Sequence, residues 1–235
     1  MEPYIGEFIG TALLILLGSG VVANVLLEKS KGQNGGWIVI CWAWAIAVFL
    51  GVYTAPALGG SGHLNPAVTL GLAAFGGIES GLVPGYIAAQ VAGAFTGSSL
   101  AWLAYKQHFD ATADGDLKLA VFCTAPAIRN PRWNLVTEAI GTFALVFGAL
   151  SISAPDNNLG ALEALPVGLL VLGIGLALGG PTGYAINPAR DFGPRLAHAV
   201  LPISGKRDAD WGYAWVPIVG PIVGGLLGAA LHAAL

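Results

Sequence analysis

The chain is 235 residues long, 55% hydrophobic and only 10% charged, with 35 glycines and a mean hydropathy of +0.73. A soluble domain carries about 25% charged residues, so composition excludes most soluble enzymes and points to a polytopic membrane protein with little mass outside the bilayer. A net charge of −3 gives no electrostatic reason to bind nucleic acid or an anionic membrane surface, and two cysteines, Cys41 and Cys123, make neither a disulfide framework nor a metal or cofactor site.

About 20 apolar residues are needed to cross the hydrocarbon core as a helix. The first candidate span runs from Tyr4 to Leu27; its acidic, proline-containing start, Met1-Glu2-Pro3, reads as a retained span rather than a signal peptide. The second runs from Trp37 to Ala55 and is expected to stop at Pro56, and the third covers Pro84 to Tyr105. The fourth extends from Trp133 to Ser153, closed by Pro155, and the fifth from about Leu159 to Gly179, with Glu163 near its start. Tyr213 to Leu235 makes the sixth. Two further apolar stretches, Pro66 to Phe75 and Pro188 to Val200, reach only part of the way across. They read either as amphipathic surface helices or as half-helices that enter the membrane and turn back, which is tolerated only where the irregular backbone is buried in protein or lines a wet cavity.

The two halves of the chain resemble each other. Glu7-Phe8-Ile9-Gly10-Thr11 returns 131 residues on as Glu138-Ala139-Ile140-Gly141-Thr142, and Gly93 and Gly97 return at the same spacing as Gly224 and Gly228. His63-Leu64-Asn65-Pro66-Ala67 returns 122 residues on as Ala185-Ile186-Asn187-Pro188-Ala189. One Asn-Pro-Ala arises by chance in only ~3% of chains this long; two in register do not. Three spans plus a half-helix, then the same again, make one channel domain over residues 1–235 from inverted repeats at about 1–105 and 133–235. Such repeats place a site at the bilayer midplane between discontinuous helices. The paired glycines read as close-packing positions. Glu7 and Glu138 are expected to face the bundle interior and brace the loops that lead to the half-helices.

Asparagine is a favoured N-cap and proline a favoured first helical residue, so each motif is a helix start. If the two starts meet, two positive helix ends face one point and repel cations, while the amides of Asn65 and Asn187 offer N–H donors to a water or hydroxyl. The glycine-rich loops before them can aim a row of carbonyl acceptors into the cavity, from Ser61, Gly62, His63 and Leu64 and from Gly183, Tyr184, Ala185 and Ile186. Arg190 reads as a pore-lining donor, since a guanidinium this deep is functional by default.

These motifs are similar to those of the major intrinsic protein family, the aquaporins and glycerol facilitators. The resemblance covers nearly the whole chain, including Ser61-Gly62-His63-Leu64-Asn65-Pro66-Ala67-Val68-Thr69 and Asn187-Pro188-Ala189-Arg190. It implies an all-α membrane fold of six transmembrane helices and two re-entrant half-helices, assembled as a homotetramer with one pore per subunit. By matching positions it implies a selectivity filter of Trp44, Gly175, Tyr184 and Arg190. Asp191, Arg195, Pro217 and Ile218 then mark the glycerol branch. His63 is implied to order its loop. The implied function is passive diffusion of glycerol, water and other small neutral polar solutes across the plasma membrane, with ions and protons excluded, no cofactor and no chemistry performed. Cytoplasmic termini are also implied; they place all ten lysines and arginines on or towards the outside, whereas the positive-inside rule reads the reverse.

Three other readings compete. A water-selective channel shares the fold. A coupled secondary transporter needs an ion site, and only Asp191 lies near either motif. Gly59-Gly60-Ser61-Gly62 also matches the serine string of rhomboid intramembrane proteases, with His232 as the available base. That last reading leaves Arg190, the second Asn-Pro-Ala and the repeat without a purpose.

Overall fold

The computed structural model describes residues 2–152 and 162–235. Among these residues the chain is entirely helical apart from turns and loops. Helices α1 (Glu2–Leu26), α2 (Trp37–Ala57) and α4 (Val83–Ala104) flank the short α3 (Pro66–Ala74). Two small helices follow, α5 (Lys106–Ala111) and α6 (Gly115–Ala120). Then come α7 (Pro131–Ile152), α8 (Leu165–Leu178), the short α9 (Pro188–Val200) and α10 (Val216–Ala234). Five helices, α1, α2, α4 (with the turn that precedes it), α7 and α10, are long and apolar enough to cross a membrane. The fifth expected span is seen as α8; its expected beginning at Leu159 lies outside the described residues, as do Ser153 and Pro155.

Two boundaries differ from expectation. Pro56 does not stop α2 but sits inside its last turn. A proline there forfeits one hydrogen bond, to the carbonyl four residues back, and the helix ends two residues later, where Leu58 and Gly60 both donate to the Ala55 carbonyl. The last span begins at Val216 rather than Tyr213, because Tyr213 to Trp215 form a turn that leads into it.

The packing repeats between halves. Helix α1 packs on α4 and α2, and α7 packs on α10 and α8. Glycines set how closely these pairs approach. A Cβ on Gly93 would lie 2.3 Å from the Phe8 carbonyl oxygen, and one on Gly97 2.3 Å from that of Ala12. In the second half Gly224 and Gly228 would meet the carbonyl oxygens of Ala139 and Phe143, at 2.0 and 2.8 Å. These partners are themselves 131 residues apart, so the repeat is written into contacts as well as letters. Each half-helix crosses over: α3 packs against α10 and α9 against α4.

Candidate pore between the half-helices

Both Asn-Pro-Ala motifs start helices as their chemistry requires. The Asn65 side-chain oxygen accepts from the Ala67 N–H at 2.9 Å, and that of Asn187 accepts from Ala189 at 3.0 Å and Arg190 at 3.2 Å. Proline occupies the first turn of each, where no N–H is missed. The two tips meet. Asn65 Nδ2 donates to the Ile186 carbonyl, and Asn187 Nδ2 to the Leu64 carbonyl, both at 2.8 Å. One N–H of each amide is therefore committed to the opposite half. Each amide nitrogen keeps its second N–H.

The loops leading to these tips carry unusual backbone. Leu64 and Ile186 have φ of 51° and 44°, and Gly62 and Tyr184, two residues before them, 74° and 38°. A left-handed conformation costs a non-glycine residue about 1–3 kcal/mol and persists only where surroundings over-determine it. Here they do. Glu7, fully buried, accepts from the N–H groups of His63 (2.9 Å) and Leu64 (2.7 Å). Glu138 accepts from those of Ala185 (3.0 Å) and Ile186 (2.8 Å). Leu64 and Ile186 are thus each gripped at the N–H by a glutamate of their own half and at the carbonyl by an asparagine of the other. Gln90 donates to Glu7 at 2.8 Å and to Thr69 at 3.0 Å, and His63 Nδ1 pairs with the Thr69 hydroxyl at 3.1 Å. Both loops border a common space.

That space is a cavity of about 350 Å³. It is lined by Ser61 to Asn65 and Tyr184 to Asn187 and by aliphatic side chains, Leu14, Val48, Val52, Val68, Leu145 and Val171 among them. Trp44, Tyr184 and Arg190 are also among the lining residues. The Arg190 guanidinium stacks over the Trp44 ring, 4.3 Å from its centre, and Nη1 donates to the Phe122 carbonyl at 3.3 Å. Gly175 and Gly183 are not among the lining residues. A Cβ on Gly175 would sit 2.9 Å from Tyr184 Cζ and 3.1 Å from Cys41 Sγ, so this glycine gives its room to the tyrosine ring. The Tyr184 hydroxyl is buried beside the Cys41 thiol, out of the cavity.

Leu64 and Ile186 line the cavity, and their carbonyls are already engaged by the asparagines. Asp191 and Arg195 form a fully buried ion pair at 2.8 Å. Pro217 lies in the first turn of α10, with Ile218 directly after it. Ser61 pairs its hydroxyl with Tyr86 at 2.8 Å, while His232 packs against Phe147, so the protease pairing of Ser61 with His232 is not formed. No group of three or more metal-ligating side chains occurs among the described residues.

Several contributors carried no sequence signal. Gly18 lies so close under Trp44 that a Cβ would stand 2.3 Å from the indole, and this gap seats the ring. Phe122 and Thr124 come from the long connection after α6; Phe122 acts through its carbonyl, and Thr124 through its backbone and its hydroxyl.

An all-helical bundle with two half-helices meeting around a polar-and-aliphatic cavity is the architecture of a membrane channel. A family model described as "Major intrinsic protein" matches residues 1–232; the chain belongs to this family and is a multi-pass membrane protein. It is 60% identical over 222 residues to a probable glycerol uptake facilitator protein of Thermotoga maritima, covering 94% of each chain. It is 53% identical to glycerol uptake facilitator protein 3 of Lactiplantibacillus plantarum, covering 92% of this chain and 90% of that one. Among solved structures, the aquaglyceroporin of Plasmodium falciparum matches with a TM-score of 0.89 and 30% identity over 100% of this chain and 96% of that one.

Proposed function

We propose that the protein is a passive channel for glycerol that also passes water and other small neutral polar solutes. The observation that carries this reading is the mixed lining of the cavity: the residues of both Asn-Pro-Ala loops and Arg190 share it with aliphatic side chains. A polyol has hydroxyls along one edge and carbons along the other, so it exchanges its hydration for both kinds of lining at once. Trp44, Tyr184 and Arg190 act as the selective constriction, with Gly175 making room for the tyrosine ring. The second N–H groups of Asn65 and Asn187 orient the solute at the midpoint. Two helix N-termini and the guanidinium raise the potential there, which opposes cations and hydronium.

The names of the relatives agree with this substrate. We further read residues 1–235 as one channel domain of two oppositely oriented repeats, assembled as a homotetramer in the plasma membrane. No cofactor or catalytic step is assigned, and the termini are placed in the cytoplasm. Protease attack on the loop from Lys106 to Arg132 in intact cells tests that orientation; protection there would reverse it.

Light scattering from reconstituted vesicles, with water and glycerol measured side by side, tests the function. Re-swelling in glycerol well above that of protein-free vesicles is expected, with no proton leak. Trp44→Ala and Arg190→Ala are expected to admit larger solutes. Water flux without glycerol flux would overturn the glycerol reading in favour of a water-selective channel.

A further inference from the structure

Arg190 and Asp191 are neighbours in sequence, and a free carboxylate beside a pore arginine would draw its guanidinium out of the lumen. The structure shows why that does not happen. Both oxygens of Asp191 are engaged by Thr124 and Arg195. Oδ2 accepts from the Thr124 N–H at 2.8 Å and the Thr124 hydroxyl at 2.9 Å. Oδ1 accepts from Arg195 Nε at 2.8 Å, and Oδ2 also takes Arg195 Nη2 at 3.1 Å. Arg195 is fully buried and spends its remaining donors on the carbonyls of Thr124 (3.1 Å), Ala209 (2.7 Å) and Asp210 (3.1 Å).

The anchored segment is also the one that aims Arg190. Thr124 is two residues from Phe122, whose carbonyl accepts from Arg190 Nη1. Helix α9 therefore carries both the pore arginine and, one and five residues later, the pair that fixes the carbonyl the arginine points at. The circuit closes from Arg190 through Phe122 and Thr124 to Asp191, and Arg195 ties it to the loop at residues 209–210.

We propose that Arg195 and Thr124 are positioning residues for selectivity. Arg195 neutralises Asp191, so that Arg190 stays the uncompensated cation of the constriction; Thr124 holds the Phe122 carbonyl that sets its direction. This rests on the reading of Arg190 as a constriction residue and adds what sets its position. Without Arg195, the Asp191 carboxylate is left short of donors in a buried place and recruits the nearest guanidinium, that of Arg190. The constriction then widens and loses a donor.

The test is a size series in reconstituted vesicles: water, glycerol, the four-carbon erythritol and the five-carbon xylitol. Arg195→Met is expected to raise the flux of the first excluded polyol relative to the last admitted one about tenfold, the discrimination one hydrogen bond to a charged group carries. Adding Asp191→Asn removes the competing carboxylate and is expected to restore the wild-type cut-off. Because the Arg195→Met chain retains a buried unpaired charge and can fail to fold, Thr124→Val is the second variant. It is expected to shift the cut-off in the same direction, and Thr124→Ser to return it. Folded variants whose fluxes all scale by one common factor, with the cut-off unmoved, would overturn the proposal by showing the cluster to be a staple only. Wild-type vesicles passing water and no polyol would instead overturn the glycerol reading, while the clamp would still be judged by whether Arg195→Met admits glycerol.

Discussion

Gly175→Ala isolates the constriction with the smallest possible change. The added Cβ would stand 2.9 Å from Tyr184 Cζ and 3.1 Å from Tyr184 Cε2, whereas carbon atoms rest at about 3.5–4.0 Å. The ring must recede by roughly 0.5–1 Å to restore that contact. It cannot retreat sideways. Gly179 already stands so close that a Cβ there would be 2.4 Å from Tyr184 Cδ1, and Trp37 closes the edge with ring centres 5.7 Å apart. The free direction is the cavity. Overpacking of this kind costs about 1–3 kcal/mol, and the gain of alanine over glycine within α8 returns up to ~1 kcal/mol, so the fold should survive. A barrier to glycerol raised by about 1.4 kcal/mol lowers its flux about tenfold. Water, being smaller, should lose much less. Stopped-flow light scattering on vesicles with equal amounts of folded protein reads both. Equal loss of the two fluxes, or no loss of either, would refute the proposed part of the Tyr184 ring in the constriction.

Other changes probe the frame around it. Glu138→Gln replaces one of two acceptors with a donor that faces a backbone N–H. It should destabilise the Ile186 loop by about 1–3 kcal/mol and reduce water and glycerol flux together, seen as a lower melting temperature in detergent and as flux per unit of protein. Gly224→Ala should be the most damaging glycine substitution, because its Cβ would fall 2.0 Å from the Ala139 carbonyl oxygen; loss of a monodisperse peak on size exclusion checks it. Tyr184→Phe removes a hydroxyl that is buried beside Cys41 and out of the cavity, so the glycerol-to-water flux ratio should stay as in the wild type.

What the sequence made legible is what local chemistry determines. Asn187-Pro188 caps and starts a helix by its own hydrogen bonds, and α9 runs from Pro188 to Val200 as its apolar stretch suggests. The matched glutamates could be read as braces because they recur at a constant spacing ahead of loops rich in N–H groups, and Glu7 and Glu138 do brace them. What stayed hidden depends on atoms that every residue has. Phe122 contributes a carbonyl, and nothing in its side chain announces that. The cross-bonds from Asn65 to Ile186 and from Asn187 to Leu64 join positions more than a hundred residues apart, and only folding shows which of several carbonyls each amide meets. Asp191 and Arg195 stood out as branch marks by resemblance, but their buried pairing and its loop contacts come from tertiary packing.

The route of the solute can be tested at Val68, one of the aliphatic side chains that line the cavity. Both native cysteines are buried, so a small thiol-reactive methanethiosulfonate applied to Val68→Cys vesicles should act there alone, with the unsubstituted chain as control. Complete labelling is predicted to abolish glycerol and water flux together, and glycerol at high concentration to slow the labelling. Full labelling with both fluxes intact would contradict the account, because the solutes would then be crossing elsewhere.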